Sequence, residues 1–577
     1  MPTLEWIGKE KVINHHQQVP YRVLEEKYTY NAEKSDNMII RGDNLEALKA
    51  LLPRYEGKVK CIYIDPPYNT GNEGWVYNDN VNDPKMKKWL GEVVGKEGED
   101  LSRHDKWLCM MYPRLKLLQK LLAEDGVIFT SIDDTEYANL KLICDEIFGS
   151  NCFVSNISWQ RTYSTRNDSK GIVNEVEHLL VYSKQPDWNP NKLPRTEEMN
   201  SKYKNPDNDR TLWRTDNAFA PGAATHQGMV YAIQHPFTGK MLYPANGRCW
   251  TFGQDQMLEI MRGWCDYELQ YLNDAHERAV VCGVADEDVR QGVQAIVLSE
   301  PLDVSAKKAQ AVYERGQWPR FFFTKGGKGG IARKTYLENV GGKLPTNFWP
   351  FSETGHTDEA KKEMLAIFDG KATFDTPKPR RLLEFVLKVA GTEDALVLDS
   401  FAGSGTTAHA VLNMNKADGG HRKFILIEMM DYADSITAER VKRVIDGYGE
   451  CKNAVAGTGG SFTFYDLGEL LLLPNGNLNE NVPADKIREY VYYMETKEPM
   501  TQAGNGNPYF LGSSRDTAYY FFYEKDAITT LDHAFLATIP EKAEGYIIYA
   551  DLCTIPAEEL AKYNITFKKI PRDIAKL

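Results

Sequence analysis

No run of apolar residues in the sequence approaches the roughly 18 residues that a membrane-spanning helix needs. The first residues contain neither a basic nor an apolar stretch, so no signal peptide is expected. The nine cysteines form no C-x-x-C pair, and no histidine pair has zinc-finger spacing. We therefore expect no structural zinc or other metal, and we predict a cytoplasmic protein with reduced thiols and no membrane contact.

An overall basic character is also missing, since the net charge is −12. This excludes a generally cationic protein but not a local basic face. One basic stretch, Lys307–Lys334, has eight basic residues against one acid, Glu314, and contains aromatic residues and two glycine pairs. A charged run is ordinarily a solvated face, but this composition favours a segment that faces nucleic acid.

Short apolar strands alternate with amphipathic helices in two separate parts of the chain. The strands are predicted at 38–40, 59–64, 127–132, 176–182, 395–399 and 423–428, and the helices at 45–52, 111–122, 135–148, 380–390 and 406–415. This alternation predicts an α/β fold with a mostly parallel sheet. Between about 185 and 340 the periodicity is weak, which indicates an insertion. Beyond a glycine-rich linker at 456–460, strands at 518–524, 545–550 and 565–569 predict a small α/β domain.

The first motif is a glycine loop, residues 399–407, between an apolar strand and a helix. Glycine lets the backbone turn sharply and approach a ligand, and the helix that follows offers free N–H groups. Glu428 ends the next strand, where an acid commonly holds ribose hydroxyls in nucleotide-binding folds. A tight turn without a ligand would explain the glycines equally well, and no phosphate-cradling Gly-Lys-Ser/Thr is present.

The second motif is Asp65-Pro66-Pro67-Tyr68, directly after a buried strand. Two prolines fix the backbone and remove two N–H donors, so the segment presents a carboxylate, a carbonyl and an aromatic ring on a rigid rim. A proline-rich turn with a packed tyrosine is the alternative. Its place at the carboxyl end of a strand, where open α/β sheets bind ligands, favours a functional role.

With Asn69-Thr70-Gly71 and the later Phe401-Ala402-Gly403-Ser404-Gly405-Thr406, this motif resembles the β-class amino-methyltransferases of DNA. The string 62–71 and the segment 374–379 are particularly similar to modification subunits of type III restriction–modification systems. The resemblance covers 36–185 and 340–450 well and 230–340 loosely. It implies a Rossmann-like methyltransferase that transfers a methyl group from S-adenosylmethionine to N6 of a flipped-out adenine.

The resemblance also implies a division of the chain and its partners. The expected domains are an N-terminal arm at 1–35, methyltransferase halves at 36–185 and 341–455, a target-recognition domain at 186–340 and a C-terminal α/β domain at 456–577. The expected partners are double-stranded DNA, a second copy of the chain in a homodimer, and a restriction subunit.

Site residues are carried over by the same resemblance. Asp65 and Pro66 are expected to accept hydrogen bonds from the target amine, Pro67 to brace the rim and Tyr68 to stack on the base. The expected cofactor-binding residues are Phe401, Gly403, Ser404, Gly405, Thr406, Glu428, Asp399, Asp43, Thr376, Lys378 and Pro379. The expected DNA-facing residues are Asn69, Arg161, Arg166, Lys325, Lys328 and Arg333.

Several alternatives stay open at this point. Asp43 is nearly as well explained as the N-cap of a helix, and Asp399 as a structural acid at a strand end. N4-cytosine methylation needs the same rim, and RNA or protein methylation is a further rival. A subunit whose main task is to deliver a nuclease to DNA is the alternative outside catalysis, and it is compatible with methylation.

Overall fold

The computed structural model describes residues 3–70, 103–163, 172–500, 506–540 and 542–574. The chain divides into two compact units, one of Met1–Asn191 with Pro345–Leu577 and one of Lys192–Leu344. The second unit is an insertion, because the chain leaves the first unit and returns to it. Its bounds lie within six residues of the range expected for a target-recognition domain, and that role stays a prediction.

A ten-stranded sheet organises the first unit. In chain order its strands are β1 (Arg22–Tyr30), β2 (Met38–Arg41), β3 (Val59–Ile64), β4 (Leu122–Ile132), β5 (Phe153–Gln160), β6 (Val176–Ser183), β7 (Phe348–Trp349), β8 (Leu396–Asp399), β9 (Lys423–Glu428) and β10 (Phe462–Leu470). Their order in the sheet is β1-β10-β2-β9-β8-β3-β4-β6-β5-β7. Only β1 and β6 run against the other strands.

The mostly parallel α/β fold expected from the sequence is therefore confirmed. Its central strands are nearly continuous apolar runs, as expected for a sheet covered by helices. Ile62 of β3 and Leu398 of β8 are fully buried neighbours in this sheet. Since β2, β9, β8, β3 and β4 are parallel and adjacent, their carboxyl ends meet at one edge, which brings together the loops that follow them.

The sheet extends beyond the bounds expected for the methyltransferase halves. β1 belongs to the range expected as an N-terminal arm, and β10 to the range expected as a C-terminal domain. β1 pairs antiparallel with β10, and β10 pairs parallel with β2. These two strands are part of the large sheet because their backbone hydrogen bonds are made there.

Of the helices that the structure describes in this unit, the first two precede β1 and the others lie between or after the strands of the large sheet in sequence. They are Lys9–Val12, His15–Gln18, Asn44–Tyr55, Arg103–Leu121, Tyr137–Phe148, Phe351–Thr354, Thr357–Ile367, Arg380–Ala390, Thr406–Asp418, Glu439–Asp446, Ala484–Thr496, His533–Leu536 and Ala557–Lys562. A π-helical turn, Asp434–Ala438, precedes the helix at 439. Among the described residues, no helix is long and apolar enough to cross a membrane.

A four-stranded sheet lies near the carboxyl end of the chain. Its strands, in sheet order, are Phe510–Ser514, Thr517–Phe521, Gly545–Ala550 and Ile565–Lys569. The last three are parallel to one another, and the helices 533–536 and 557–562 lie between them in sequence. This is the βαβαβ arrangement predicted from the sequence.

The inserted unit has smaller sheets of its own. Its strands are Trp213–Asn217, Phe219–Pro221, Ile233–Gln234, Met241–Leu242, Arg248–Trp250, Tyr267–Gln270, Ala295–Leu298, Phe321–Phe323 and Ile331–Tyr336, and its helices are Glu197–Asn200, Gln254–Met261, Ala275–Cys282 and Leu302–Arg315. Its core is rich in aromatic side chains, with Trp250, Trp264 and Tyr231 at most 1% exposed.

The basic stretch at 307–334 differs from its expected role in one respect. Phe321, Phe322 and Phe323 are buried in the core of the inserted unit, so they offer no aromatic surface to nucleic acid. Lys334 is fully buried, and its ammonium lies 2.5 Å from Asp207 and 2.6 Å from Asp209. These side chains hold the unit together.

Replacement of Lys334 tests this internal role. Lys334→Met leaves Asp207 buried without its counter-charge, so the free energy of unfolding should fall by about 3–5 kcal/mol. Chemical denaturation followed by tryptophan fluorescence measures the change. The exposed Lys307 provides the control, since Lys307→Met should change the stability by no more than about 0.5 kcal/mol. Equal effects of the two variants would contradict the assignment.

Candidate functional site

The Asp-Pro-Pro-Tyr rim follows β3 at the carboxyl edge of the large sheet. Tyr63, the penultimate residue of β3, is buried and its hydroxyl lies 2.8 Å from the Ser131 hydroxyl on the neighbouring strand β4. The Trp107 indole donates a hydrogen bond of 2.7 Å to the Pro67 carbonyl. The rim is therefore held from both sides, by the sheet and by the helix 103–121.

Lys378 lies directly against this rim. Its Nζ atom is 2.8 Å from each carboxylate oxygen of Asp65 and 2.9 Å from the Tyr68 hydroxyl. The same ammonium lies 4.9 Å from the centre of the Tyr68 ring. Lys378 was expected among the cofactor-binding residues, but the structure places it in contact with two of the expected catalytic residues.

Glu177, at the start of β6, completes this cluster. Because β6 runs against β4, its first residues lie at the edge where β4 ends. Glu177 accepts hydrogen bonds from the Tyr68 hydroxyl at 3.0 Å and from Arg161 at 2.8 Å, and it lies 3.5 Å from Lys378. Arg161, expected beside the target base, therefore forms an ion pair within the cluster.

The charges of the cluster depend on one another. Burial raises the pKa of Asp65 above its usual value, although the Lys378 ammonium opposes this. Burial alone would also raise the pKa of Glu177, but Lys378 and Arg161 lower it below its usual value. Burial disfavours the charged Lys378, yet the two carboxylates hold its pKa above the usual range. Each charge is stabilised by an opposite charge.

The glycine loop lies at the end of β8, next to β3. Gly403 and Gly405 have φ values of +51° and +80°, which favour glycine. A Cβ atom on Gly403 would lie 3.0 Å from the Phe374 ring, so a side chain at this position would crowd that ring. Asp399 accepts hydrogen bonds from the Phe401 N–H at 3.0 Å and the Thr407 hydroxyl at 2.6 Å. Asp399 thus shapes the loop.

Glu428 ends β9 beside this loop. Its carboxylate accepts the Gly403 N–H at 2.8 Å and the Met430 N–H at 3.0 Å. Burial raises its pKa to about 7, although these N–H groups favour the charged form. Burial, with Asp65 and Glu428 nearby, likewise raises the pKa of Asp399 to about 7.

The hydroxyl groups of the loop point to a buried arginine. Arg440 donates to the Ser404 hydroxyl at 2.9 Å and to the Thr406 hydroxyl at 2.7 Å, and it pairs with Glu363 at 3.2 Å. Ser404, Thr406 and Arg440 are all buried. Their side chains fix the loop from behind, and the cofactor contact expected of the 403–406 backbone stays a prediction.

The remaining expected cofactor residues have different surroundings. Asp43 is the N-cap of the helix 44–55, and its carboxylate accepts hydrogen bonds from the N–H groups of Leu45 and Glu46 at 2.8 and 3.3 Å. The interpretation of Asp43 as an N-cap therefore agrees with the structure. Phe401 is partly buried against the main core. Thr376 is exposed, and Pro379 is the buried N-cap of the helix 380–390.

The segment 374–378 connects the two motifs. Its first residue, Phe374, faces Gly403, and its last, Lys378, binds Asp65. β3 and β8 are neighbours, and Asp65 lies close enough to Asp399 to raise its pKa. The rim and the glycine loop, more than 330 residues apart in sequence, therefore belong to one site.

The expected DNA-facing residues are more scattered. Asn69 is fully buried, with a φ of +60°, and its amide donates to the Arg103 carbonyl at 3.1 Å and to Glu136. Asn69 therefore anchors the rim to the interior and is not placed to contact a base. Arg166 lies outside the described residues.

The last three of the expected DNA-facing residues lie in the inserted unit. Lys325 and Lys328 are exposed, whereas Arg333 is partly buried and pairs with Asp216 at 3.2 Å.

Among the described residues, no group of three or more His, Cys, Asp or Glu side chains is arranged to hold a metal ion.

Sequence reasoning missed two residues of the site. Glu177 is a charged residue in an otherwise apolar strand, which is a signal that a buried partner exists. Arg440 gave no comparable signal, because a basic residue in an amphipathic helix is ordinarily exposed.

Comparison with known proteins places this site in a family. A family model described as DNA methylase matches residues 59–238 and 246–439, which include both motifs. The Mod subunit of the type III restriction–modification enzyme StyLTI from Salmonella typhimurium is 32% identical over 475 residues, covering 76% of this chain and 62% of that protein. The EcoP15I Mod subunit from Escherichia coli is 28% identical over 498 residues, covering 77% and 66%.

The chain thus spans less than two thirds of the length of these relatives. The type II methyltransferase M.KpnI from Klebsiella pneumoniae is 29% identical over 405 residues, covering 69% of this chain and 81% of that protein. Among solved structures, the cytosine-N4-specific PvuII DNA methyltransferase matches with 14% identity and a TM-score of 0.31, covering 70% of this chain and 87% of that one. Because the family model matches more than half of the sequence, the chain belongs to the DNA methylase family.

Proposed function

We propose that the protein transfers a methyl group from S-adenosylmethionine to the exocyclic N6 of an adenine within a specific site in double-stranded DNA. The observation that carries this proposal is the junction of the two motifs. The carboxylate rim and the glycine loop end neighbouring parallel strands, and the segment 374–378 contacts both. Family membership and the named Mod relatives support it.

The glycine loop fits a nucleoside with a cationic side chain. Gly403 and Gly405 let the loop turn with positive φ values, and a loop without side chains at these two positions exposes its backbone to a ligand. Within the part of the chain that the structure describes, the buried Ser400 hydroxyl has no hydrogen-bond partner. Glu428 would hold the ribose hydroxyls, and Gly403, Gly405 and Phe401 would surround the methionine portion.

S-adenosylmethionine supplies an electrophilic methyl group on a positively charged sulfur. The chain's own contribution is to orient the amine that receives it. Adenine N6 is a poor nucleophile because its lone pair is delocalised into the ring. Asp65 and the Pro66 carbonyl would accept hydrogen bonds from its two N–H groups. These hydrogen bonds favour the pyramidal nitrogen of the transition state over the flat ground state.

The target amine is out of reach inside a duplex, so the base must be extruded. Tyr68 presents a ring beside Asp65. Its hydroxyl accepts a hydrogen bond from Lys378 and donates one to Glu177, which fixes the ring in place. A ring held in this way can stack on an extruded base without losing much conformational freedom on binding. The site is therefore preorganised for one flat, amine-bearing ring.

The inserted unit is the proposed reader of the DNA sequence. Its exposed Lys325 and Lys328 suit phosphate contacts, which position a protein on a duplex without reading bases.

Since several relatives are named Mod subunits of type III enzymes, we infer that a restriction subunit is a partner. The homodimer and the cytoplasmic location stay predictions.

Replacement of the rim carboxylate tests the catalytic proposal. Asp65→Asn keeps the size of the side chain but turns one acceptor into a donor, so the single-turnover rate should fall by about 100- to 1,000-fold. The affinity for S-adenosylmethionine, measured by calorimetry, should stay within about threefold, because the amine contact forms outside the cofactor loop. The exposed Asp125 provides the control, and Asp125→Asn should retain the rate. Substantial activity of Asp65→Asn would remove Asp65 from this role.

The pH dependence of cofactor affinity tests Glu428. As the pH falls through about 7, Glu428 gains a proton and loses both its charge and an acceptor for ribose. The affinity measured by calorimetry should therefore fall between about pH 8 and about pH 6. Glu428→Gln should bind more weakly and with little pH dependence. Asp399→Asn is the matched variant, since the pKa of Asp399 is also about 7. Loss of the pH dependence only in Asp399→Asn would contradict the assignment.

The methylated base decides between adenine and cytosine. The purified protein is incubated with unmethylated DNA and labelled S-adenosylmethionine, and the digested nucleosides are separated by mass spectrometry. N6-methyladenine is the expected product. N4-methylcytosine would overturn the choice of base, and methylation of RNA or protein alone would overturn the choice of substrate.

A further inference from the structure

Lys378 and the proposed target amine require the same acceptor. The Lys378 ammonium donates to both carboxylate oxygens of Asp65 and to the Tyr68 hydroxyl. An adenine amine would bring its own N–H donor to Asp65. A carboxylate has about four lone-pair sites, so two donors can share it, but an ammonium that bridges both oxygens stands in the space that an approaching amine needs. The ammonium therefore has to give way, at least in part, when the amine arrives.

A second acceptor lies within reach of the same ammonium. Glu177 Oε2 is 3.5 Å from Lys378 Nζ, so a small movement converts this contact into a full hydrogen bond. Glu177 is itself held in place, because Arg161 binds its other oxygen at 2.8 Å. Arg161 is tied to the neighbouring backbone through its N–H, which donates to the Glu175 carbonyl at 3.0 Å.

We propose that Glu177 is a positioning residue of the transfer step, which draws the Lys378 ammonium away from Asp65 when the target amine binds. This inference rests on the proposed function. Lys378 then occupies the amine position in the free protein and moves toward Glu177 in the complex. In this exchange the ammonium passes from Asp65 toward Glu177. Because the two carboxylates lie 2.8 and 3.5 Å from the ammonium, a small shift leaves it near both, and Asp65 keeps a positive charge close by.

The exchange also explains why Glu177 is charged. A neutral acceptor at this position would satisfy the Tyr68 hydroxyl, which donates to Oε2 at 3.0 Å. It would not attract an ammonium away from a carboxylate, because a hydrogen bond between two charged groups is roughly twice as strong as one between neutral groups. The chemistry of Glu177 therefore suits the capture of a cation better than the support of a ring.

The test uses two single variants and their combination in the full-length protein. Glu177→Gln keeps the acceptor for Tyr68 but leaves the ammonium on Asp65, so the single-turnover rate should fall by about 10- to 100-fold. Lys378→Met removes the competing donor. The double variant should be faster than Glu177→Gln and no slower than Lys378→Met, because without the ammonium there is nothing for Glu177 to draw away.

Two further measurements separate positioning from a loss of structure. In Glu177→Gln, the affinity for S-adenosylmethionine should stay within about threefold of the wild-type value. The midpoint of thermal unfolding of this variant should stay within about 3 °C of wild type. Asp134→Asn is the matched carboxylate-to-amide control at the same sheet edge, since Asp134 is largely exposed and pairs with His178. It should keep the wild-type rate.

The outcomes distinguish this inference from the proposed function. If the wild-type protein methylates DNA but the rate losses of the two single variants simply multiply in the double variant, the exchange is overturned while the proposed function stands. An unchanged rate in Glu177→Gln overturns it as well. If the wild-type protein transfers no methyl group to DNA, the proposed function itself fails.

Discussion

The ion pair between Lys378 and Asp65 is the contact on which the site depends. It ties the segment before the helix 380–390 to the rim after β3, across a gap of 313 residues in sequence. Burial disfavours both charges; Lys378 favours the charged form of Asp65, and Asp65 together with Glu177 favours the charged form of Lys378. The pair thereby holds Phe374 near Gly403 as well, since the two residues lie on one short segment. The pairing of β3 with β8 sets the distance between the two motifs, and this ion pair joins the segment 374–378 to the rim.

The sheet supplies the frame for that contact. β8 lies between β9 and β3 in the sheet. Asp399 and Glu428, which end β8 and β9, and Asp65, which follows β3, are therefore neighbours at one edge. Strands of a covered parallel sheet are among the most rigid parts of a fold, whereas the loops beyond them can vary. A site built on strand ends therefore takes its geometry from the sheet.

The sequence was sufficient to predict the strands that carry the site, because apolar runs and glycine or proline boundaries are local signals. The strands 423–428, 545–550 and 565–569 have the predicted bounds. The partners of polar side chains depend on the whole fold and could not be predicted in the same way. Lys334 reads as a surface residue until Asp207 and Asp209 are seen around it. Likewise, nothing in the sequence indicates that the Ser404 and Thr406 hydroxyls bind a buried Arg440.

The electrostatics of the edge favour a cationic ligand. Asp65, Asp399 and Glu428 all have raised pKa values, with burial as the largest cause, and Asp399 also feels the other two carboxylates. A cluster of buried acids is unfavourable by itself, and a positive charge that enters it is stabilised by every carboxylate nearby. Lys378 provides that charge on the rim side of the cluster, but the described residues place no cation against Glu428. The charge of Glu428 is thus supported by backbone N–H groups, and a cation that entered beside it would be attracted to a carboxylate without a positive partner in the described part of the chain.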